Sequence, residues 1–426
     1  MPMTPSSTFE QDENGGVVWI PEGTTFGFDD LVFYRGKGQV PFSDVAGRID
    51  LVLTGPHATA AIPRELQPFL EPTLIEREQH DFSDMTTSDL CKRWAEVDER
   101  VVYVEFPHHR MLFDPNRDWP QDPEAGLRGF FDRQDAQARG EKVGFNGVDA
   151  IRPTSFSGVP FLRRPSDDAH WRALMGTIDD LGSRGARVYA TIRDQVVTTV
   201  FDAKCARLHA LDMDAVSVAD FNSARMLHVQ CVHDTMNATV GEGGAVDRDK
   251  PRSEWLPRIV SLGNRGDARG EPRPPAGGGR LPWIDVPIID GPQFRSLQRA
   301  LAIAFEVPPP DVEAELALNT PYLGAFECQA MGRMLRSLEA QGVVRHTSDE
   351  NVLRIRTGAY QAEFRRETLL GERNTAYLRR PGSDWPATDE VNHTDLTARL
   401  RHAYDILRRW DFDVPPSSAY VAPMFR

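Results

Sequence analysis

Two histidines in this chain stand just past short apolar runs. Ile49, Leu51, Val52 and Leu53 read as a buried strand that Thr54-Gly55-Pro56 stops, which delivers His57 at its carboxyl end. Leu227 to Val232 alternates as a second such strand and ends at His233, followed by Asp234. Imidazole nitrogen is a common metal ligand, so two histidines at neighbouring strand ends are suited to share one ion. Singly, each reads as well as a hydrogen-bonded structural residue. Asp81 and Asp84 lie ahead of a helix that Thr87 or Ser88 would cap and that runs to about Val97. Taken alone, such loop carboxylates are caps or solvated charges. The run Pro107 to Asp118 follows another apolar stretch, Val101 to Val104, and sets Arg110 and Arg117 around Asp114 and Asn116. Arginine offers a planar donor fork for a carboxylate or a fixed charge for a developing oxyanion; the alternative is a surface salt-bridge loop. Further on, Ala359 to Glu367 alternates as a possible edge strand with Gln361 and Glu363 on one face. A core-directed glutamate is costly unless it works or is paired, here with Arg365 or Arg366.

The elements that must position these residues alternate along the chain. Strands at 49–53, 101–104, 227–232, 256–266 and 359–367 are interspersed with helices at Asp168 to Leu181, Phe294 to Glu306 and Gln329 to Gln341. Ala186 to Ala203 fits either a helix or a strand. This pattern predicts an α/β fold with helices flanking a central sheet, where the carboxyl ends of strands hold the chemistry. Residues 1–45 read as a polar tail followed by a β-hairpin or an irregular lead-in to the core, 46–375 as the catalytic unit, and 376–426 as a C-terminal extension whose helix, 395–410, packs on the core. Gly/Pro-rich stretches at 118–165 and 241–280, the latter with Gly277-Gly278-Gly279, are insertions or a site cover.

Composition limits the partners. A net charge of -14 argues against nucleic acid or an anionic membrane. No run of 18 apolar residues and no secretory signal is apparent, and the four dispersed cysteines lack a CxxC pair. A cytoplasmic protein acting on a small molecule is the expectation, and the oligomeric state is left open. The glycine runs lack the Lys-Ser/Thr of a phosphate loop, which excludes that mode of nucleotide binding.

Five ordered pieces resemble the N-formylglutamate amidohydrolase family: Pro56-His57; Arg110 to Arg117; Val232-His233; Leu262-Gly263-Asn264-Arg265-Gly266; and Asn319-Thr320-Pro321-Tyr322-Leu323-Gly324 with Gln361-Ala362-Glu363 and Arg366. The resemblance implies a mixed sheet in a phosphorylase/hydrolase-like, zinc carboxypeptidase-like core. It also implies one Zn²⁺ on His57, His233 and Asp84, with Asp81 in reserve. Glu363 would be the general acid/base and Arg110 would face the oxyanion. Arg117, steadied by Asn116 and Asp114, would hold a substrate carboxylate; Asn319, Gln361 and Arg366 would make further substrate contacts. Two positions depart from the family's pattern, since Asp234 and His109 stand where serines are usual. The same ligand set would suit Fe(II) in an oxygen-using enzyme, and a decayed, inactive descendant is a third reading.

Overall fold

In the computed structural model, residues 9–11, 16–143, 150–240, 246–273, 286–342, 345–346 and 352–410 are described. The Gly277-Gly278-Gly279 run lies outside them. Seven strands form the central sheet: β1 Val32–Tyr34, β2 Leu51–Gly55, β3 Val101–Glu105, β4 Met226–Thr235, β5 Val260–Gly263, β6 Leu316–Leu318 and β7 Arg356–Arg365. Their spatial order is β6-β5-β7-β4-β2-β3-β1. The four inner strands β7, β4, β2 and β3 run parallel, while β5 and β1 join antiparallel to them. The expected mixed α/β sheet is therefore present, and four carboxyl ends open on one edge.

Both faces of the sheet are covered, as a mostly parallel sheet requires. Val52, Val102, Val104, Leu227 and Val229 point to one side. There they pack with α3 (Asp168–Leu181), α4 (Arg187–Ala210) and α6 (Phe326–Gln341). Leu51, Leu53, Val101, Tyr103, Tyr360 and Ala362 point to the other, against α1 (Thr86–Val97), α5 (Gly291–Ala304) and α7 (Glu390–Arg409). The ambiguous stretch after Ala186 is helical because Tyr189, Ile192, Val196 and Val200 recur every three or four residues and are buried on one stripe. The C-terminal helix begins five residues earlier than expected, at Glu390, where the Asp389 side chain accepts from Asn392 N.

One expectation of topology is corrected. The strand at Ala359 to Glu367 is interior, because β5 and β4 take its hydrogen bonds on both sides. The lead-in contributes to the core: β1 pairs with β3, and Val32 and Tyr34 are buried. The insertion at 118–165 also carries a regular helix, α2 (Pro123–Ala138), capped by Asp122, whose Leu127, Phe130 and Phe131 are buried.

A buried ionic cluster ties the C-terminal helix to the strand that carries His57. Asp50, just ahead of β2, accepts from Lys204 Nζ at 2.9 Å, Ser223 Oγ at 2.9 Å and Arg408 Nε at 2.6 Å. Burial alone would raise the Asp50 carboxyl, but the Lys204 and Arg408 charges outweigh it and lower the group. Among the described residues no helix is long and apolar enough to cross a membrane.

Candidate metal centre

The sheet register brings the site together. Glu363 on β7 pairs with His233 on β4, so the two side chains stand side by side on the same face. His57 follows β2, which lies on the other side of β4. Asp84 sits in the turn between a short helix, Glu76–Asp81, and α1. That turn is fixed by backbone and side chain: Asp84 N donates to His57 O at 2.8 Å, and Thr87 Oγ1 donates to Asp84 O at 2.7 Å.

Three ligand atoms form a nearly equilateral triangle. His57 Nδ1 lies 3.0 Å from Asp84 Oδ2, His233 Nδ1 lies 3.1 Å from the same oxygen, and the two Nδ1 atoms are 3.1 Å apart. These edges approach the roughly 3.3 Å edge of a tetrahedron with ~2.0 Å bonds, the usual shape of a zinc site. His57, Asp84 and His233 are all buried. The tautomer makes the same case. His57 Nε2 lies 2.5 Å from Asp114 Oδ1, and an ionised carboxylate can only accept. A neutral His57 therefore carries its proton on Nε2 and turns a lone pair on Nδ1 toward the Asp84 carboxylate. Lone pairs facing each other in a buried site need a cation between them, so the donor set fits a metal.

The arginines and acids around the triangle hold it. Asp114 also accepts from Arg110 Nη2 at 2.9 Å and Asn116 N at 2.8 Å, while Arg110 Nη1 reaches Asp84 Oδ1 at 3.4 Å. Burial alone would raise Asp84, but His57, His233 and Arg110 beside it hold it well below the usual carboxylate range. For Asp114, burial is likewise outweighed by His57 and Arg110. Asn116 Nδ2 lies 3.4 Å from His233 Nε2, and its Oδ1 accepts from Glu327 N at 3.0 Å. Glu327 is itself fully buried, between Tyr189 OH at 2.6 Å and Arg193 Nη1 at 3.0 Å.

A cavity of about 580 Å³ opens over the triangle and is lined by His57, Asp84, His233, Glu363, Arg110, Asn116, Arg117, Gln361 and Arg366, among others. Burial raises Glu363, His233 opposes and Asp84 adds. Gln361 Nε2 donates to Glu363 Oε2 at 2.8 Å while its Oε1 accepts from Ala325 N at 2.8 Å, so it aims the glutamate. Arg117 lines the cavity with no carboxylate within ion-pair distance among the described residues; its Nη1 donates to Asn116 O at 2.8 Å.

Four of the expected site residues have other partners in the structure. Asp81 is the last residue of the short helix and lines the cavity, but Arg77 Nε holds its carboxylate at 2.7 Å; burial raises it to about 6. Asp114 faces His57 and Arg110 with its two oxygens and does not line the cavity. Asn319 does not line the cavity; its amide braces Asn264 and Asp267 through bonds of 2.6–2.9 Å. Arg366 lines the cavity but is spent on Asp234 and on the carbonyls of Asp81 and Ser83, which clamp the Asp84 turn. Asp234, in turn, is raised to about 6, burial being the main cause and Arg366 opposing it. His109, the other departure, is a buried structural residue stacked on Phe161, 3.0 Å from Gln79 O. Phe156, Lys250 and Tyr322 also line the cavity, although no sequence pattern assigned them a role.

Comparison with known proteins adds to this geometry. Residues 49–178 match the family model of N-formylglutamate amidohydrolase. The matched segment includes His57, Asp84 and the Arg110 to Arg117 run, and its family consists of hydrolases acting on carbon–nitrogen bonds other than peptide bonds. Among solved structures, the chain is similar to the N-formylglutamate amidohydrolase of Ralstonia eutropha. Identity there is 15% and the TM-score 0.43, over 84% of this chain and 94% of that one. It is also similar to a gene product of Agrobacterium tumefaciens at 13% identity and a TM-score of 0.39, over 88% of this chain and 93% of that one. No curated protein matches the chain.

Proposed function

We propose that the protein is a metal-dependent amidohydrolase cleaving the C–N amide of an N-acyl amino acid or a similar carboxylate-bearing amide. The observation that supports this reading is the convergence of His57, Asp84 and His233 within 3.1 Å of one another beside Glu363. His57, Asp84 and His233 would hold Zn²⁺, which when bound supplies Lewis acidity and lowers the pKa of water toward about 7. Glu363, raised by burial, takes the proton of the attacking water and delivers it to the leaving nitrogen. Gln361 fixes the angle of that carboxylate. Arg110, shared between Asp84 and Asp114, adds positive charge where the oxyanion develops. Arg117 offers its fork to the substrate carboxylate. Asp114 acts on a ligand, by accepting from the far nitrogen of His57. Four cysteines without a disulfide fit a reducing compartment such as the cytoplasm.

Replacing Glu363 with Gln tests the assignment. Turnover of an N-acyl amino acid should fall at least roughly 100-fold while zinc content is unchanged. Full activity in that variant would refute the role of Glu363.

A further inference from the structure

We infer that the acyl half of the substrate is a bulky apolar group, best an aromatic ring, seated on Phe156. This rests on the amidohydrolase reading above and narrows its substrate class. Phe156 stands in the cavity wall and is 59% exposed. Single exposed apolar side chains are common, but this one is held in place from two directions. Its turn is braced: Ser155 N donates to Val159 O at 2.8 Å, Val159 N donates to Ser155 Oγ at 3.0 Å, and the Ser155 and Ser157 hydroxyls lie 3.0 Å apart. Gly158 supplies the left-handed residue the turn needs, with φ +93°. Phe82 packs edge-on to the ring at 5.4 Å, and the Arg110 and Arg152 guanidinium centres lie 5.1 and 4.5 Å from its centroid. An aromatic side chain fixed at this expense of contacts, with its remaining surface open to the cavity, is a preformed apolar platform.

The chemistry decides which half of the substrate meets it. Glu363 delivers its proton to the leaving nitrogen, so the amine half lies toward β7. Phe156 and Phe82 instead flank Arg110, on the His57 and Asp114 side, where the carbonyl and its substituent must lie. Val159 extends this apolar wall. A formyl group carries only hydrogen at that position and would leave Phe156 uncovered. A volume of about 580 Å³ falls within the ~300–1,000 Å³ that encloses drug-sized ligands, more than a one-carbon acyl group requires.

The test uses the full-length, zinc-loaded protein and two analogues that cannot be hydrolysed as amides, N-benzenesulfonylglutamate and N-methanesulfonylglutamate. Calorimetry should find the benzene analogue bound at least roughly 10-fold more tightly. Phe156→Ala should reduce that ratio to within about 3-fold, and Phe156→Trp should keep it. Equal affinities in the wild type, a ratio that survives Phe156→Ala, or no binding of either analogue overturns the inference. Hydrolysis of N-benzoylglutamate and N-acetylglutamate is followed in parallel. An affinity ratio that behaves as stated without any hydrolysis would overturn the amidohydrolase reading and leave the apolar platform standing. Hydrolysis without an affinity ratio does the reverse.

Discussion

Asp114→Asn removes one charge and moves no ligand, and its cost can be worked from three distances. Asp114 accepts from His57 Nε2 at 2.5 Å, Arg110 Nη2 at 2.9 Å and Asn116 N at 2.8 Å. An asparagine has one acceptor where the aspartate has two. If its oxygen faces His57, its NH₂ faces the Arg110 guanidinium, donor against donor. If its NH₂ faces His57, the imidazole proton is driven to Nδ1 and the ligand lone pair is lost. Either arrangement weakens the hold on the ion. Partners of this kind are typically worth 10–100-fold in metal affinity, or about 1.4–2.7 kcal/mol at 1.36 kcal/mol per decade. The fold should survive, because Arg110 keeps Asp84 at 3.4 Å. Zinc affinity is measured by competition with chelators of graded strength. Asp118→Asn, at an exposed carboxylate four residues away, serves as the control. An Asp114→Asn protein that binds zinc as tightly as the wild type would refute the orienting role.

Other perturbations follow from the same geometry. Because burial raises Glu363, the acid limb of kcat/KM should lie above the ~4.3 of a free glutamate, with activity lost as pH falls through the raised value; Glu363→Gln should abolish that limb. Asp50→Asn leaves Lys204 and Arg408 buried without their anion, and denaturant melts should show a loss of about 3–5 kcal/mol. The folded-state pKa of Asp50 is depressed, so its stabilisation is present above the ~3.9 of an unfolded aspartate and disappears as pH falls through the lower folded value. A wild type and Asp50→Asn pair with parallel acid-unfolding curves would contradict this.

The parts of the site legible in the sequence are those with local causes. An apolar run stopped by Thr54-Gly55-Pro56 is enough to place His57 at a strand end, but the strand expected to stop at Val232 runs on to Thr235, so that His233 lies within it, paired with Glu363. Period-two alternation is enough to put Gln361 and Glu363 on one face. What was not legible depends on partners far along the chain. Asp81 and Asp84 look alike ahead of a helix; Arg77 claims the first, and Arg366, nearly three hundred residues on, clamps the turn that aims the second. The Asp114 cluster reads as a charged loop of suitable chemistry, but only the fold shows that His57 Nε2 lies against it. Whether β7 is an edge or an interior strand depends on β5 and β4, not on its own residues. Phe156 and Lys250 sit in Gly/Pro-rich insertions, where no periodicity marks a side chain as facing a cavity.

If one cation sits in the triangle beneath Glu363, anomalous diffraction at the zinc edge from zinc-loaded crystals should show a single strong peak within about 2.0–2.2 Å of His57 Nδ1, His233 Nδ1 and an Asp84 oxygen. A triangle without a peak, or a peak held by Asp81 instead, would contradict it.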